Sequence, residues 1–144
     1  MVEDKIMNIL LVEDDEVDIM NVKRAFEKNK ITNPLYIASD GLEALEMLRS
    51  QEGHPPLIPA NRRLILLDLN MPRMSGIEFL QALRSDPELK RIPVVVLTTS
   101  NQDQDRMKAY QLNVAGYMLK PVLFPHFLET METLNKYWSL CEMP

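Results

Sequence analysis

Residues 64–68 read Leu64-Ile65-Leu66-Leu67-Asp68, four apolar residues without interruption that stop at a carboxylate. A strand with one wet face alternates apolar and polar residues. An unbroken apolar run instead fits a strand covered on both faces, as in a parallel sheet sandwiched between helices. The same pattern recurs at Ile9-Leu10-Leu11-Val12 and Val94-Val95-Val96-Leu97, and more weakly at Gly116-Tyr117-Met118-Leu119. A fifth, weaker strand follows Pro34 at Leu35-Tyr36-Ile37.

Between these runs lie segments of helical period with readable start signals. Asp15 precedes a helix whose apolar positions Val17, Met20, Ala25 and Phe26 are expected on one broad face. Asp40 with Glu43 and Ser75 with Glu78 have capping-box spacing, and Ser100 with Asp103 is a looser version. Pro125 suits the first turn of a last helix, where its missing N–H leaves nothing unsatisfied. That helix carries Phe124, Phe127, Leu128, Met131, Leu134 and Trp138 at helical spacing. Strand and helix thus alternate five times, which predicts an α/β fold with an open, doubly wound parallel sheet and right-handed crossovers. The long irregular stretch from Gln51 to Arg62, with Gly53, Pro55, Pro56 and Pro59, is of a kind that is usually functional or disordered.

At 144 residues the chain has room for one domain and a sizeable core. A net charge of −5 leaves no electrostatic footprint for nucleic acid, and the local basic group Lys23, Arg24, Lys28 and Lys30 reads as a solvated helix face. The single cysteine, Cys141, rules out an internal disulfide and is compatible with a reducing cytosol. No run approaches the roughly 18 apolar residues of a membrane span, and no targeting segment opens the chain. A soluble, cytoplasmic protein is expected.

In an open α/β sheet, ligands bind beyond the carboxyl ends of the strands. The first run ends in Glu13-Asp14-Asp15-Glu16, the third strand in Asp68, the fourth in Thr98-Thr99-Ser100 and the fifth in Lys120-Pro121. Each has a purely structural reading: Asp15 a helix cap, Asp68 a turn residue, Thr98 a strand residue, Lys120 a surface charge. A parallel sheet, however, gathers them on one edge, where clustered carboxylates need a cation to remain charged. Oxygen donors with open water positions suit Mg²⁺ or Mn²⁺.

Four blocks together resemble the signatures of two-component response-regulator receiver domains. They are Leu10-Leu11-Val12-Glu13-Asp14-Asp15; Leu66-Leu67-Asp68-Leu69-Asn70-Met71-Pro72 with Gly76; Val96-Leu97-Thr98-Thr99-Ser100; and Tyr117-Met118-Leu119-Lys120-Pro121. The resemblance spans about residues 7–138. The Pro-rich insertion, the segment from Arg91 to Ser100 and the pair Tyr137-Trp138 are similar to the single-domain regulators that partner bacterial phytochromes. The resemblance implies a flavodoxin-like sheet of order 2-1-3-4-5 with five helices. It also implies a single receiver domain over 1–144 with no appended effector.

By the same resemblance, Asp68 is the phosphoacceptor for a sensor histidine kinase, with a bacterial phytochrome as the candidate kinase upstream of this protein. Asp14, Asp68 and the main-chain carbonyl of Asn70 would ligate Mg²⁺, with Glu13 acting through coordinated water. Lys120 and Thr98 would contact the phosphoryl oxygens, and Tyr117 would be the switch aromatic. Asn70 and Ser100 would tune the lifetime of the aspartyl phosphate, and the Lys120-Pro121 peptide is a candidate for cis. Ser75 stands where many receivers have Asp, and Glu13 where Asp is common. His54 and His126 match no motif. Such a protein is a switch and not a turnover enzyme, and it would signal as a homodimer through the face of its fourth helix, fifth strand and fifth helix.

Two other readings stay open at this point. A haloacid-dehalogenase-type phosphatase uses a second Asp two residues after its nucleophile, where this chain has Asn70. A receiver-like module could bind proteins without being phosphorylated.

Overall fold

The computed structural model describes residues 6–121 and 123–142. The elements follow as β1 (Asn8–Val12), α1 (Glu16–Lys28), β2 (Leu35–Ala38), α2 (Gly41–Leu48) and β3 (Arg63–Leu67), then α3 (Gly76–Ser85), β4 (Val94–Thr98), α4 (Asp103–Gln111), β5 (Gly116–Leu119) and α5 (Phe124–Leu140). All strand pairs are parallel, in the spatial order β2-β1-β3-β4-β5. This is the doubly wound, flavodoxin-like arrangement expected.

The unbroken apolar runs have a direct physical cause. Leu10, Val12, Ile65, Leu67, Val94 and Val96 point into a core shared with α2 and α3 and with Ala109 of α4. Their neighbours Ile9, Leu11, Leu64, Leu66, Val95 and Leu97 point into a second core shared with α1 and α5. Every position of β1, β3 and β4 is therefore buried, whereas the edge strands β2 and β5 are largely half-exposed. Each buried aliphatic side chain contributes about 1.5–3 kcal/mol, so the three central strands hold much of the stability.

The caps divide into local successes and tertiary exceptions. Asp15 accepts hydrogen bonds from the N–H groups of Val17 (2.8 Å) and Asp18 (3.1 Å). Ser75 and Glu78 form the complete reciprocal box. Asp40 caps Glu43 N–H at 2.9 Å, but the Glu43 carboxylate turns to the Ser39 N–H (2.6 Å) and hydroxyl. Half of that box is thus absent. The expected Ser100–Asp103 cap does not form: α4 has Gln102 at its cap with no side-chain bond, and the Ser100 hydroxyl donates to Asp105 at 2.5 Å.

Two further expectations are corrected, for α1 and for the Lys120–Pro121 peptide. The buried side of α1 is Val22, Ala25 and Phe26, while Val17 and Met20 are 65% and 60% exposed. At about 3.6 residues per turn, Val17 and Met20 fall on the side of the helix away from Val22, Ala25 and Phe26, so they face outward. Trp138 is a core residue with its ring tilted against that of Phe26, centroids 6.1 Å apart, and Tyr137 beside it is half-exposed. No peptide among the described residues is cis, so Lys120–Pro121 takes the trans form that X–Pro bonds favour in general.

The 51–62 stretch is tied down. Ile58 is fully buried, and the Arg63 guanidinium donates to the carbonyls of Leu48 (3.0 Å), Ile58 (2.6 Å) and Pro59 (2.9 Å).

Candidate functional site

The parallel register decides which side chains meet at the carboxyl edge. Val12 lies opposite Leu67, so Glu13 and Asp68 leave adjacent strands side by side, and Asp68 N–H donates to the Val12 carbonyl at 3.0 Å. On the other flank Thr98 lies opposite Leu119, and Lys120 N–H donates to the Thr98 carbonyl at 2.8 Å. Glu13, Asp14, Asp68, Thr98 and Lys120 are thus gathered by hydrogen bonding of the sheet itself.

Carboxylate oxygens of Glu13, Asp14 and Asp68 lie within 4.8 Å of one another. Glu13 and Asp68 are buried, and Asp14 is open to solvent. The Lys120 ammonium is ion-paired with Glu13 and donates to Asp18 Oδ2 at 2.7 Å. Its distance to Asp68 Oδ1 is 3.7 Å, outside hydrogen-bond range, and that oxygen is buried without a partner. Thr98 is fully buried, and its hydroxyl oxygen accepts from Ser100 N–H at 3.3 Å. The Tyr117 hydroxyl donates to the Ser100 carbonyl at 2.8 Å, which ties the ring to the β4–α4 turn. Asn70 is exposed in the turn after β3.

Burial sets the electrostatics. It pushes the Glu13 carboxyl up to about 7 against the pull of Lys120, with the Asp68 charge adding to the rise. Burial also raises Asp68, opposed by Lys120, the Thr98 hydroxyl and the main-chain N–H groups of Asn70 and Leu69. For Lys120, burial would lower the pKa, but the bonds to Asp18 and Glu13 and the Asp68 charge outweigh it and the ammonium is held charged.

The β3–α3 turn is locked from below. A methyl group at Gly76 would stand 2.5 Å from the Asp68 carbonyl oxygen and 2.6 Å from Leu69 Cα, and Gly76 N–H donates to the Leu69 carbonyl at 3.0 Å. Only glycine lets α3 start against the Asp68 main chain. Asp40 adds a second brace through its ion pair with Arg73 of the same turn.

Several carboxylates around one ammonium leave an excess of negative charge, and one buried carboxylate oxygen has no donor. An all-oxygen set of this kind fits a hard divalent cation. Asp18 is the residue that sequence reasoning missed. It lies in the first turn of α1, three positions after the cap Asp15, and its partner Lys120 is 102 positions away, so no local spacing signals it.

Comparison with known proteins agrees with this geometry. Residues 9–132 match the response regulator receiver domain family. The probable methanogenesis regulatory protein FilR2 of Methanothrix harundinacea is 41% identical over 130 residues, covering 90% of this chain and 82% of FilR2. Response regulator Rcp1 of Synechocystis is 38% identical over 130 residues, covering 90% and 87%. The crystal structure of its Mn²⁺-bound form superposes with a TM-score of 0.82, covering 96% of this chain and 99% of Rcp1. The phosphorylated cyanobacterial phytochrome response regulator RcpA, 34% identical, superposes with a TM-score of 0.83 over 96% of this chain and 98% of RcpA.

Proposed function

Because the chain belongs to the response regulator receiver domain family, we propose that it is a switch operated by phosphorylation of Asp68. The observation that carries this reading is the buried, unpartnered Oδ1 of Asp68, set between the acidic cluster and the Lys120 ammonium. A carboxylate oxygen with free lone pairs at the sheet edge is a nucleophile awaiting an electrophile. Attack on the phosphorus of a phosphohistidine forms the O–P bond as the N–P bond breaks.

Lys120 places a positive charge beside the incoming oxygens, and the Thr98 hydroxyl has a hydrogen to donate to one of them. Asp14, Asp68 and the main-chain carbonyl of Asn70 would hold Mg²⁺ or Mn²⁺, with Glu13 acting through coordinated water. When bound, such a cation would offset the charge that gathers during in-line transfer. Tyr117, anchored at Ser100, would report the displacement of Thr98 to the β4–α4 turn. None of these groups turns over a substrate.

The partner would be a sensor histidine kinase. Similarity to RcpA, a phytochrome response regulator, favours a phytochrome as that kinase. A homodimer through α4, β5 and α5 is supported by exposed Met107, Tyr110, Leu119 and Tyr137. We assign no nucleic-acid or membrane partner; among the described residues no helix is long and apolar enough to cross a bilayer.

Incubation with Mg²⁺ and acetyl phosphate is expected to add one phosphoryl group by mass, lost on Asp68→Asn and blocked by a chelator. Absence of the adduct in the unaltered protein would favour a phosphorylation-independent binding module.

A further inference from the structure

A lysine ammonium has three N–H donors. Lys120 gives one to Glu13 and one to Asp18 Oδ2 at 2.7 Å, while Asp68 Oδ1, at 3.7 Å, receives none. Glu13 shares the strand edge with Asp68. Asp18 comes from another element, the first turn of α1, and its side chain is one-third exposed. It stands outside the cluster of Glu13, Asp14 and Asp68 whose oxygens converge.

We infer that Asp18 is a positioning residue that parks the Lys120 ammonium away from Asp68 in the unmodified protein. The inference rests on the reading of Asp68 as phosphoacceptor. The third N–H is free, but two ion pairs hold the ammonium 3.7 Å from Asp68 Oδ1, so drawing it onto a phosphoryl group at Asp68 strains both and the weaker one gives first. Releasing Glu13, which is 2% exposed, leaves a buried carboxylate without its counter-charge. Releasing Asp18 leaves a carboxylate that water can solvate. Asp18 is therefore the latch that opens. Its charge also adds to the negative field that an incoming phosphoryl group meets, so hold and charge act in the same direction: both favour the unmodified state.

The test compares wild type with Asp18→Asn, Asp18→Glu and, as a surface control at the end of α2, Arg49→Gln, whose native partner is Asp86. Without metal, a ¹H–¹⁵N spectrum of lysine ammonium groups should show the Lys120 resonance displaced from those of solvated lysines. It should move in Asp18→Asn and stay in place in Asp18→Glu and in the control. With Mg²⁺, titration of beryllium fluoride as phosphoryl mimic should reach half-saturation at a concentration about three- to fivefold lower in Asp18→Asn, the range expected for releasing a partly exposed ion pair. Asp18→Glu and the control should titrate like wild type. Equal or weaker binding of the mimic by Asp18→Asn, or an unmoved Lys120 resonance, overturns the inference. A wild type that takes neither the mimic nor a phosphoryl group from acetyl phosphate refutes the Asp68 reading instead, and the ammonium resonance then still decides whether Asp18 holds Lys120.

Discussion

Glu13 concentrates the conflict between burial and charge at the site. Its carboxyl, raised to about 7 by burial in the folded protein, titrates near 4.5 when the chain is unfolded. Between those values the folded state holds a proton that the unfolded state has released, so stability rises as pH falls from about 7 toward 4.5. Above 7 the ionised carboxylate lowers stability by on the order of 3 kcal/mol, and Asp68, also raised by burial, acts with the same sign. In chelator, the urea midpoint should be higher at pH 6 than at pH 8, and Glu13→Gln should flatten that profile. A slope that survives the substitution would place the titrating group elsewhere. A bound divalent cation favours the ionised carboxylates, so Mn²⁺ should raise the melting temperature more at pH 8 than at pH 6. Asp14→Asn should remove most of that rise, without the penalty of opening the core.

Among elements, the turn from β3 into α3 and the insertion before β3 are held by contacts that a single atom can break. Gly76→Ala drives a methyl group against the Asp68 and Leu69 main chain, which cannot step aside as a flexible side chain would. Overpacking of this kind costs about 1–3 kcal/mol, and urea unfolding should read it. The same variant should take up phosphoryl groups more slowly, because its Asp68 is displaced. Arg63→Lys keeps the charge and three donors but sets them on one nitrogen, whereas Arg63 reaches the Pro59 carbonyl through Nε and those of Leu48 and Ile58 through Nη2. A loss of about 1–3 kcal/mol and faster proteolysis within 51–62 are expected; unchanged cleavage would show that Ile58 alone secures the insertion. These elements also mark what a sequence discloses. The Asp15 cap and the Ser75–Glu78 box were legible because donor and acceptor lie within one turn. The Ser100 and Glu43 side chains have competing partners, Asp105 and Ser39, that the box pattern does not weigh. The face of α1 was misread because Val17 and Met20 were grouped with Ala25 and Phe26, whereas about 3.6 residues per turn set them on opposite sides of the helix.

For the whole molecule, two-sided burial made the sheet readable, and parallel register then carried Asp68, Glu13, Thr98 and Lys120 to one edge. Asp18 stayed hidden because its partner is 102 positions away and no spacing rule links them. The proposed dimer is a whole-molecule property too. Sedimentation should show a heavier species with the phosphoryl mimic bound, and Met107→Asp with Tyr110→Ser should return it to monomer; a monomer under all conditions would remove that face from the mechanism. The contrast between fully buried β1, β3 and β4 and half-exposed β5 has one more consequence, for deuterium uptake. Amides of the central strands should exchange only through global opening, and those of the edge strand through cheaper local excursions. The acidic half of the site is thus rooted in the slowest-exchanging layer of the protein, while Lys120 hangs from a strand that loosens on its own. Deuterium should reach the Lys120 amide well before that of Asp68, so the basic half of the site can move while the acidic half stays still.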